Sequence, residues 1–397
     1  MLTSIALVFL VGMFLGWLFK KLGLPSLVGM IITGILLGPY AFNALDDSLL
    51  TISADLRQMA LVIILFRAGL SLKLDDFKKM GSSAIFMSFV PALFEIIGVL
   101  LLGSILFDLS LVELAVMGSV LAAVSPAVVV PSMLHVIEEG YGQEKRVPQL
   151  ILAGASMDDI FVVVLFSSFL ALALGGDFSA MNILEIPLAI IMGIIIGSIT
   201  GWFAQRFYRR FHMRDTSKVI MLLSLSFLLL EFEELIAHFL PFSGLLAIMA
   251  LGLTINQFYP KLAHRLALKY NKLWTAAQIL LFVLVGASVD ITYALKAGVP
   301  ALLLIIGALV IRMVGVLISL LPSSLDKKEK LFAMISFTPK ATVQAAIGGI
   351  PLAMGLERGQ LILTVAVLAI LITAPLGSFA IEQTYKKLLN KSTKLNN

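Results

Sequence analysis

Runs of about twenty apolar residues, separated by short polar loops, recur along the whole of this chain, and each is long enough to cross a bilayer core of about 30 Å as a helix. Such a segment must satisfy its own backbone, and continuous apolar runs do not suit the alternating strands of a barrel. The expected fold class is therefore an all-α polytopic membrane protein. A composition of 60% hydrophobic and 13% charged residues, with mean hydropathy +1.04, leaves no stretch for a soluble domain. The absence of cysteine excludes disulfides and thiolate metal sites. The net charge of +5 falls in loops flanking the runs and not in a basic stripe with aromatics, so no nucleic-acid partner is expected. Met1 to Phe19 lacks a basic leading region and reads as a retained first helix.

Spans are expected to begin near Thr3, Pro25, Ser53, Gly81, Leu111, Pro148, Met181, Lys218, Phe242, Leu273, Tyr293, Leu331 and Gln360, which makes 13 transmembrane helices. Loops after odd-numbered helices hold 23 of the 29 Lys and Arg residues, including Lys73, Lys78 and Lys79, the group Arg206, Arg209, Arg210 and Arg214, and the C-terminal Lys386 to Lys394. Loops after even-numbered helices hold only Lys296 and Arg358. The positive-inside rule then puts the N-terminus outside and the C-terminus in the cytoplasm. The stretch Lys261 to Trp274 reads as an interfacial lead-in, with Trp274 at headgroup level.

Few charges lie within the spans, and each asks for a reason. Asp158 and Asp159 are adjacent in the apolar run from Val147 to Gly175. A carboxylate at the bilayer centre costs about 2.5–3.5 kcal/mol on insertion scales, so the pair is a candidate functional site. Two close carboxylates in a dry site disfavour double ionisation, which lets one site hold either a proton or a cation. Glu95 and Arg312, in the fourth and eleventh spans, are expected to form a structural ion pair, since neither inserts cheaply alone. Lys340 is the remaining deep cation. His135 and His238 read as wetted groups near span ends, and Glu231, Glu233 and Glu234, toward the outer half of the eighth span, read either as a cation-attracting funnel or as solvated or dimer-facing carboxylates.

An internal duplication is visible. Leu24-Pro25-Ser26-Leu27 corresponds to Leu240-Pro241-Phe242-Ser243, 216 residues on; Gly34 corresponds to Gly252, and the segment ending Gly69-Leu70-Ser71 to the one ending Gly286-Ala287-Ser288. Glu95 precedes Arg312 by 217 positions, and Ser125-Pro126-Ala127 precedes Thr338-Pro339-Lys340-Ala341 by 213. An offset of seven helices inverts the second copy, giving inverted-topology repeats of helices 1–6 and 8–13. Pro126 and Pro339 fall mid-span in helices 5 and 12, where proline removes a donor and clashes with the preceding turn, so two broken, crossing helices are expected there.

These residues carry a resemblance. Met157-Asp158-Asp159, the Ser-Pro-Ala break, the run Thr338-Pro339-Lys340-Ala341-Thr342-Val343-Gln344-Ala345 and the opening Lys21-Leu22-Gly23-Leu24-Pro25 with Gly34-Ile35-Leu36-Leu37-Gly38-Pro39 resemble the monovalent cation:proton antiporter superfamily, most closely sodium:proton exchangers of the NapA and NHA type. The resemblance implies a dimerisation domain from residues 1–80 and 215–291, a transport core from 81–175 and 292–388, and a linker helix at 181–214. It implies Asp159 as the carrier of ion and proton. A homodimer in the cell membrane, a prokaryotic source and no cofactor are expected. Arg312 stands where electrogenic relatives carry a lysine, which resembles electroneutral members; Val124-Ser125-Pro126 replaces a Thr-Asp-Pro of some relatives. With only a short tail after the last span, the nucleotide-binding domain of potassium-efflux relatives is not expected.

Sodium and lithium prefer oxygen ligands, and Asp159, Asp158, Ser125 and Ser156 could supply them, with Lys340 compensating charge at the broken helix. The expected function is exchange of sodium or lithium for protons across the bilayer. The second aspartate and Lys340 tilt the expectation to electrogenic exchange, against Arg312. A potassium:proton antiporter and a gated cation channel on the same scaffold are the alternatives. An intramembrane enzyme would need carboxylates from two facing helices, which adjacent residues on one helix suit poorly.

Overall fold

The computed structural model describes residues 1–72, 82–175, 180–236 and 241–391. Lys73, Lys78 and Lys79, the expected span start at Gly81, His238, Leu240 of the repeat motif and Lys394 lie outside the described residues, as do the side chains of Ser156, Glu234 and Lys296.

Among the described residues every element longer than an isolated bridge between Tyr141 and Lys391 is a helix. In order come α1 (Leu2–Lys21), α2 (Ser26–Leu37), the short α3 (Asp47–Thr51), α4 (Ser53–Ser71), α5 (Ser82–Met87), α6 (Val90–Leu106), α7 (Leu111–Ala122), α8 (Pro126–Glu138) and α9 (Val147–Leu174). They are followed by α10 (Ala180–Arg210), α11 (Asp215–Ile236), α12 (Gly244–Phe258), α13 (Pro260–Ala287), α14 (Ile291–Ser319), α15 (Lys327–Ser336), α16 (Thr342–Ile347), α17 (Ile350–Ala353) and α18 (Gly359–Leu388). Among the described residues eight helical segments are long and apolar enough to cross a membrane. Their outward faces carry Leu10, Ile105, Ile199, Phe203, Leu295 and Val310, all more than half exposed. Those side chains suit contact with hydrocarbon and not with water.

Where lipid replaces water there is no hydrophobic force between helices, so association depends on close backbone approach at small residues. Two crossings use glycine in both partners. A methyl on Gly34 of α2 would lie 1.9 Å from the Val283 carbonyl oxygen of α13, and one on Gly286 of α13 would lie 2.2 Å from that of Ile31. The α4–α12 crossing has the same form: a methyl on Gly69 would lie 2.3 Å from the Met249 carbonyl oxygen and one on Gly252 2.8 Å from that of Phe66.

A third approach sets α10 along α12, where a methyl on Gly197 would come within 2.2 Å of the Ala247 carbonyl oxygen. Gly197→Leu is expected to push the helices apart at a cost of about 1–3 kcal/mol. The checking measurement is the melting temperature in detergent; an unchanged value would contradict the close contact.

Two spans are interrupted. α7 ends at Ala122, residues 123–125 are extended, and Pro126 opens α8 at a position where its missing N–H costs nothing. α15 ends at Ser336, Pro339 lies in the following non-helical stretch, and α16 starts at Thr342. One expectation needs correction. The lead-in Lys261 to Trp274 is part of one continuous helix, α13, and Trp274 is buried beneath Arg67, whose guanidinium lies 5.8 Å from its ring centre. Leu262, Leu266, Tyr270 and Trp274 recur at helical spacing on that buried face, so packing against the neighbouring helices outweighs the interfacial preference of the indole.

Candidate functional site: a charge network at two broken helices

The two interruptions meet. The Ser125 amide donates to the Pro339 carbonyl at 2.8 Å, joining the α7–α8 break to the α15–α16 break. Gln344, on the first turn of α16, joins them again: its amide nitrogen donates to the carbonyls of Ala123 (2.8 Å) and Leu121 (3.2 Å), and its oxygen accepts from the Ala341 amide (2.8 Å). The Lys340 amide donates to Thr373 Oγ1 on α18 at 2.9 Å. Backbone groups freed by a break are tolerated at membrane depth only when satisfied in this way. Sequence reasoning assigns no role to Gln344 or Thr373; for Gln344 the available signal is its place three residues after the N-cap Ala341, where a glutamine can bond back to the N-cap amide.

Four buried charges occupy the crossing. Arg312 of α14 donates from Nη2 to Asp158 Oδ2 (2.8 Å), from Nη1 to Glu95 Oε2 (2.8 Å) and to the Ala122 carbonyl, and from Nε to the Phe337 carbonyl (3.0 Å). Asp158 Oδ2 also accepts the Val124 amide at 2.7 Å. Lys340 Nζ donates to Glu95 Oε2. Asp158 and Arg312 are 0% exposed and Glu95 and Lys340 1%, so all four are out of reach of bulk water. Two cations therefore face two carboxylates, and the cluster is neutral when all four are charged. A buried charge without such a partner would cost several kcal/mol, about 3–5 for breaking a pair.

Glu95 and Arg312 thus form the expected pair, but the pair is not isolated. The guanidinium fork also grips Asp158 and one carbonyl at each break. Lys340 stands on Glu95 and not on either aspartate.

Asp159 is different from its neighbour. Successive helical residues point about 100° apart, so it cannot share the Arg312 contact of Asp158. It is half-buried, and its Oδ1 has no hydrogen-bond partner. Asp158 Oδ1, Ser125 Oγ and Thr342 Oγ1 are likewise buried without a partner. These oxygens come from α9, the α7–α8 break and the first turn of α16, three elements in contact. An unpaired buried oxygen costs about 1–3 kcal/mol, and four around one crossing ask for an explanation beyond packing. Carboxylate and hydroxyl oxygens are the donor set a hard monovalent cation prefers.

The other singled-out groups lie away from the crossing. Glu233 accepts the Gly244 amide at 3.0 Å and so caps α12, while Glu231 is exposed. His135, near the end of α8, has its Nε2 3.6 Å from Glu382 of α18 and its ring edge-on to Tyr385.

Residues 5–387 match the family model described as sodium/hydrogen exchanger, transmembrane. The chain is 35% identical over 385 residues to human Sodium/hydrogen exchanger 9B2, covering 93% of this chain and 70% of that protein. It is 33% identical over 385 residues to mouse Sodium/hydrogen exchanger 9B1, covering 93% and 67%. Among solved structures it is similar to the sodium proton antiporter MjNhaP1 from Methanocaldococcus jannaschii at pH 8, with a TM-score of 0.84, 20% identity and 98% coverage of both chains, a likeness of fold. Since these curated relatives are animal proteins, they lend no support to a prokaryotic source.

Proposed function

The chain belongs to the sodium/hydrogen exchanger family, and on that premise we propose that it exchanges sodium or lithium for protons, the two competing for Asp159. The protein is a multi-pass membrane antiporter, a transporter and not an enzyme, and it exchanges a cation for protons. The observation that carries the finer reading is the contrast within one pair: Asp158 is ion-paired through Oδ2 in a neutral network with Arg312, Glu95 and Lys340, while Asp159 beside it makes no ion pair among the described residues.

That contrast also bears on stoichiometry. Electrogenic exchange needs Asp158 or Lys340 to release a second proton, and both are engaged in buried ion pairs. With Asp159 alone free to load, one proton leaves for each monovalent cation. We therefore favour electroneutral exchange over the electrogenic alternative that the residue types suggest.

The proposed architecture has thirteen spans in two inverted repeats, and the crossings support it. Gly34 of α2 meets Gly286 of α13, and their repeat counterparts, Gly252 of α12 and Gly69 of α4, meet each other. Glu95 meets its counterpart Arg312, and Ser125 of one helix break bonds to Pro339, the counterpart of the adjacent Pro126. A two-fold axis in the membrane plane produces these pairings. The proposal assigns α1–α4 and α11–α13 to a dimerisation domain, α5–α9 and α14–α18 to a transport core that moves against it, and α10 to the link. The active unit is a homodimer with the C-terminus in the cytoplasm.

Proteoliposomes with an imposed pH gradient test the reaction. Sodium and lithium are expected to dissipate the gradient with KM rising as pH falls and an unchanged maximal rate, the signature of competition for one carboxylate. Dissipation by potassium alone would move the assignment to a potassium exchanger. Cation flux without proton movement would indicate a channel.

A further inference from the structure

We propose that the groove between α10 and α12, remote from the broken helices, binds an anionic phospholipid, with an acyl chain between the helices and the phosphate on Arg206 and Arg209. The groove has a volume of about 550 Å³ and is lined by Ser198, Trp202, Phe203, Thr254, Gln257 and Phe258 among others. Its walls are apolar and aromatic, with a few polar groups, which is what a tail and its ester region require. Trp202, Phe203 and Phe258 are exposed.

The end of the groove is basic, and its arginines are held by lining residues and by the adjacent Tyr259. Arg206 lies over the Trp202 ring at 5.6 Å. Arg209 donates to the Phe258 carbonyl and lies over the Tyr259 ring at 5.1 Å. Neither forms an ion pair with a carboxylate among the described residues, and the same holds for the adjacent Arg210. The sequence explains why: no Asp or Glu occurs from Leu188 to Arg214 or from Gly244 to Val289. The nearby Asp215 is already shared between Arg265 at 2.9 Å and Lys218 at 3.4 Å.

Guanidinium groups beside aromatic rings at the end of a membrane groove match a phosphodiester, which accepts the planar fork in two bonds. A zwitterionic headgroup brings its own cation into a site that already has two, so the charge of the site favours a lipid with net negative charge.

Trp17, Trp202 and Trp274 are the three tryptophans, so W17F/W274F leaves Trp202 as the sole fluorescent reporter in the groove. The protein would be reconstituted in phosphatidylcholine containing a minor fraction of acyl-brominated phosphatidylglycerol or, in parallel, acyl-brominated phosphatidylcholine. Trp202 is expected to be quenched more by the anionic lipid, and R206Q and R209Q should each lower that preference roughly fivefold. Equal quenching by the two lipids, or a preference untouched by R206Q/R209Q, overturns the proposal. So does the absence of quenching by either, which would mean that protein, such as a second copy of the chain, covers the groove. Native mass spectrometry of the otherwise unaltered protein gives a check that does not depend on the Phe replacements: retained phosphatidylglycerol adducts should be lost in R206Q/R209Q, and persistence of the same adducts contradicts the site.

Discussion

Asp159→Asn is expected to reduce cation-driven proton flux to that of protein-free liposomes while leaving a folded protein with a near-normal melting temperature. The amide keeps the shape of the side chain and removes both the charge that holds a cation and the site that holds a proton. Among the described residues Asp159 makes no ion pair that would be lost with its charge, so stability should be nearly untouched. The neighbouring change has the opposite balance. Asp158→Asn leaves Arg312 facing only Glu95, which it shares with Lys340, so one buried cation loses its counter-charge. That variant should be destabilised, and its loss of transport should accompany a loss of fold. Flux and melting temperature measured on both proteins separate the two roles. Strong exchange by Asp159→Asn would remove it as the carrier.

The second large effect concerns Glu95 and Arg312. Removing Arg312 frees two carboxylates from their main partner and leaves carbonyls at both helix breaks without a donor, so Arg312→Ala should cost about 3–5 kcal/mol. Glu95→Ala strands Lys340 and half of the Arg312 fork. The double variant removes one charge of each sign, and Lys340 and Asp158 remain as an opposite pair within the same dry site. Its loss is therefore expected to fall short of the sum of the single losses by about 0.5–3 kcal/mol, as for directly coupled residues. Melting temperatures of the four proteins in one detergent supply the cycle. Additive losses would mean that Glu95 and Arg312 act independently, against the contact of 2.8 Å.

Much of this arrangement is legible in the amino-acid sequence, for reasons that lie in the solvent. Hydrocarbon accepts neither open backbone nor unpaired charge, so long apolar runs imply helices, mid-span prolines imply satisfied breaks, and Glu95 implies a cation such as Arg312. What stays hidden is set by direction and by long-range packing. Sequence places Asp158 and Asp159 side by side, and only the helix rotation decides that the first meets Arg312 and the second does not. Lys340 could have turned to the aspartates; its position on α15–α16 beside α6 puts it on Glu95. Gln344 and Thr373 act through carbonyls and amides 221 and 33 residues away, and nothing in their surroundings along the chain announces those partners. Trp274 has an interfacial preference by residue type and is buried by its neighbours.

The central claim is that Asp159 alone loads, with the charges of Asp158, Arg312, Glu95 and Lys340 fixed against one another. Capacitive current after a sodium concentration jump on a solid-supported membrane, recorded beside proton flux in liposomes at clamped potential, tests it most directly. Rapid exchange with no net current and no dependence on potential is the predicted result. A sustained current that reverses with the potential, at the same transport rate, would show that a second group in the network releases its proton and would contradict the account.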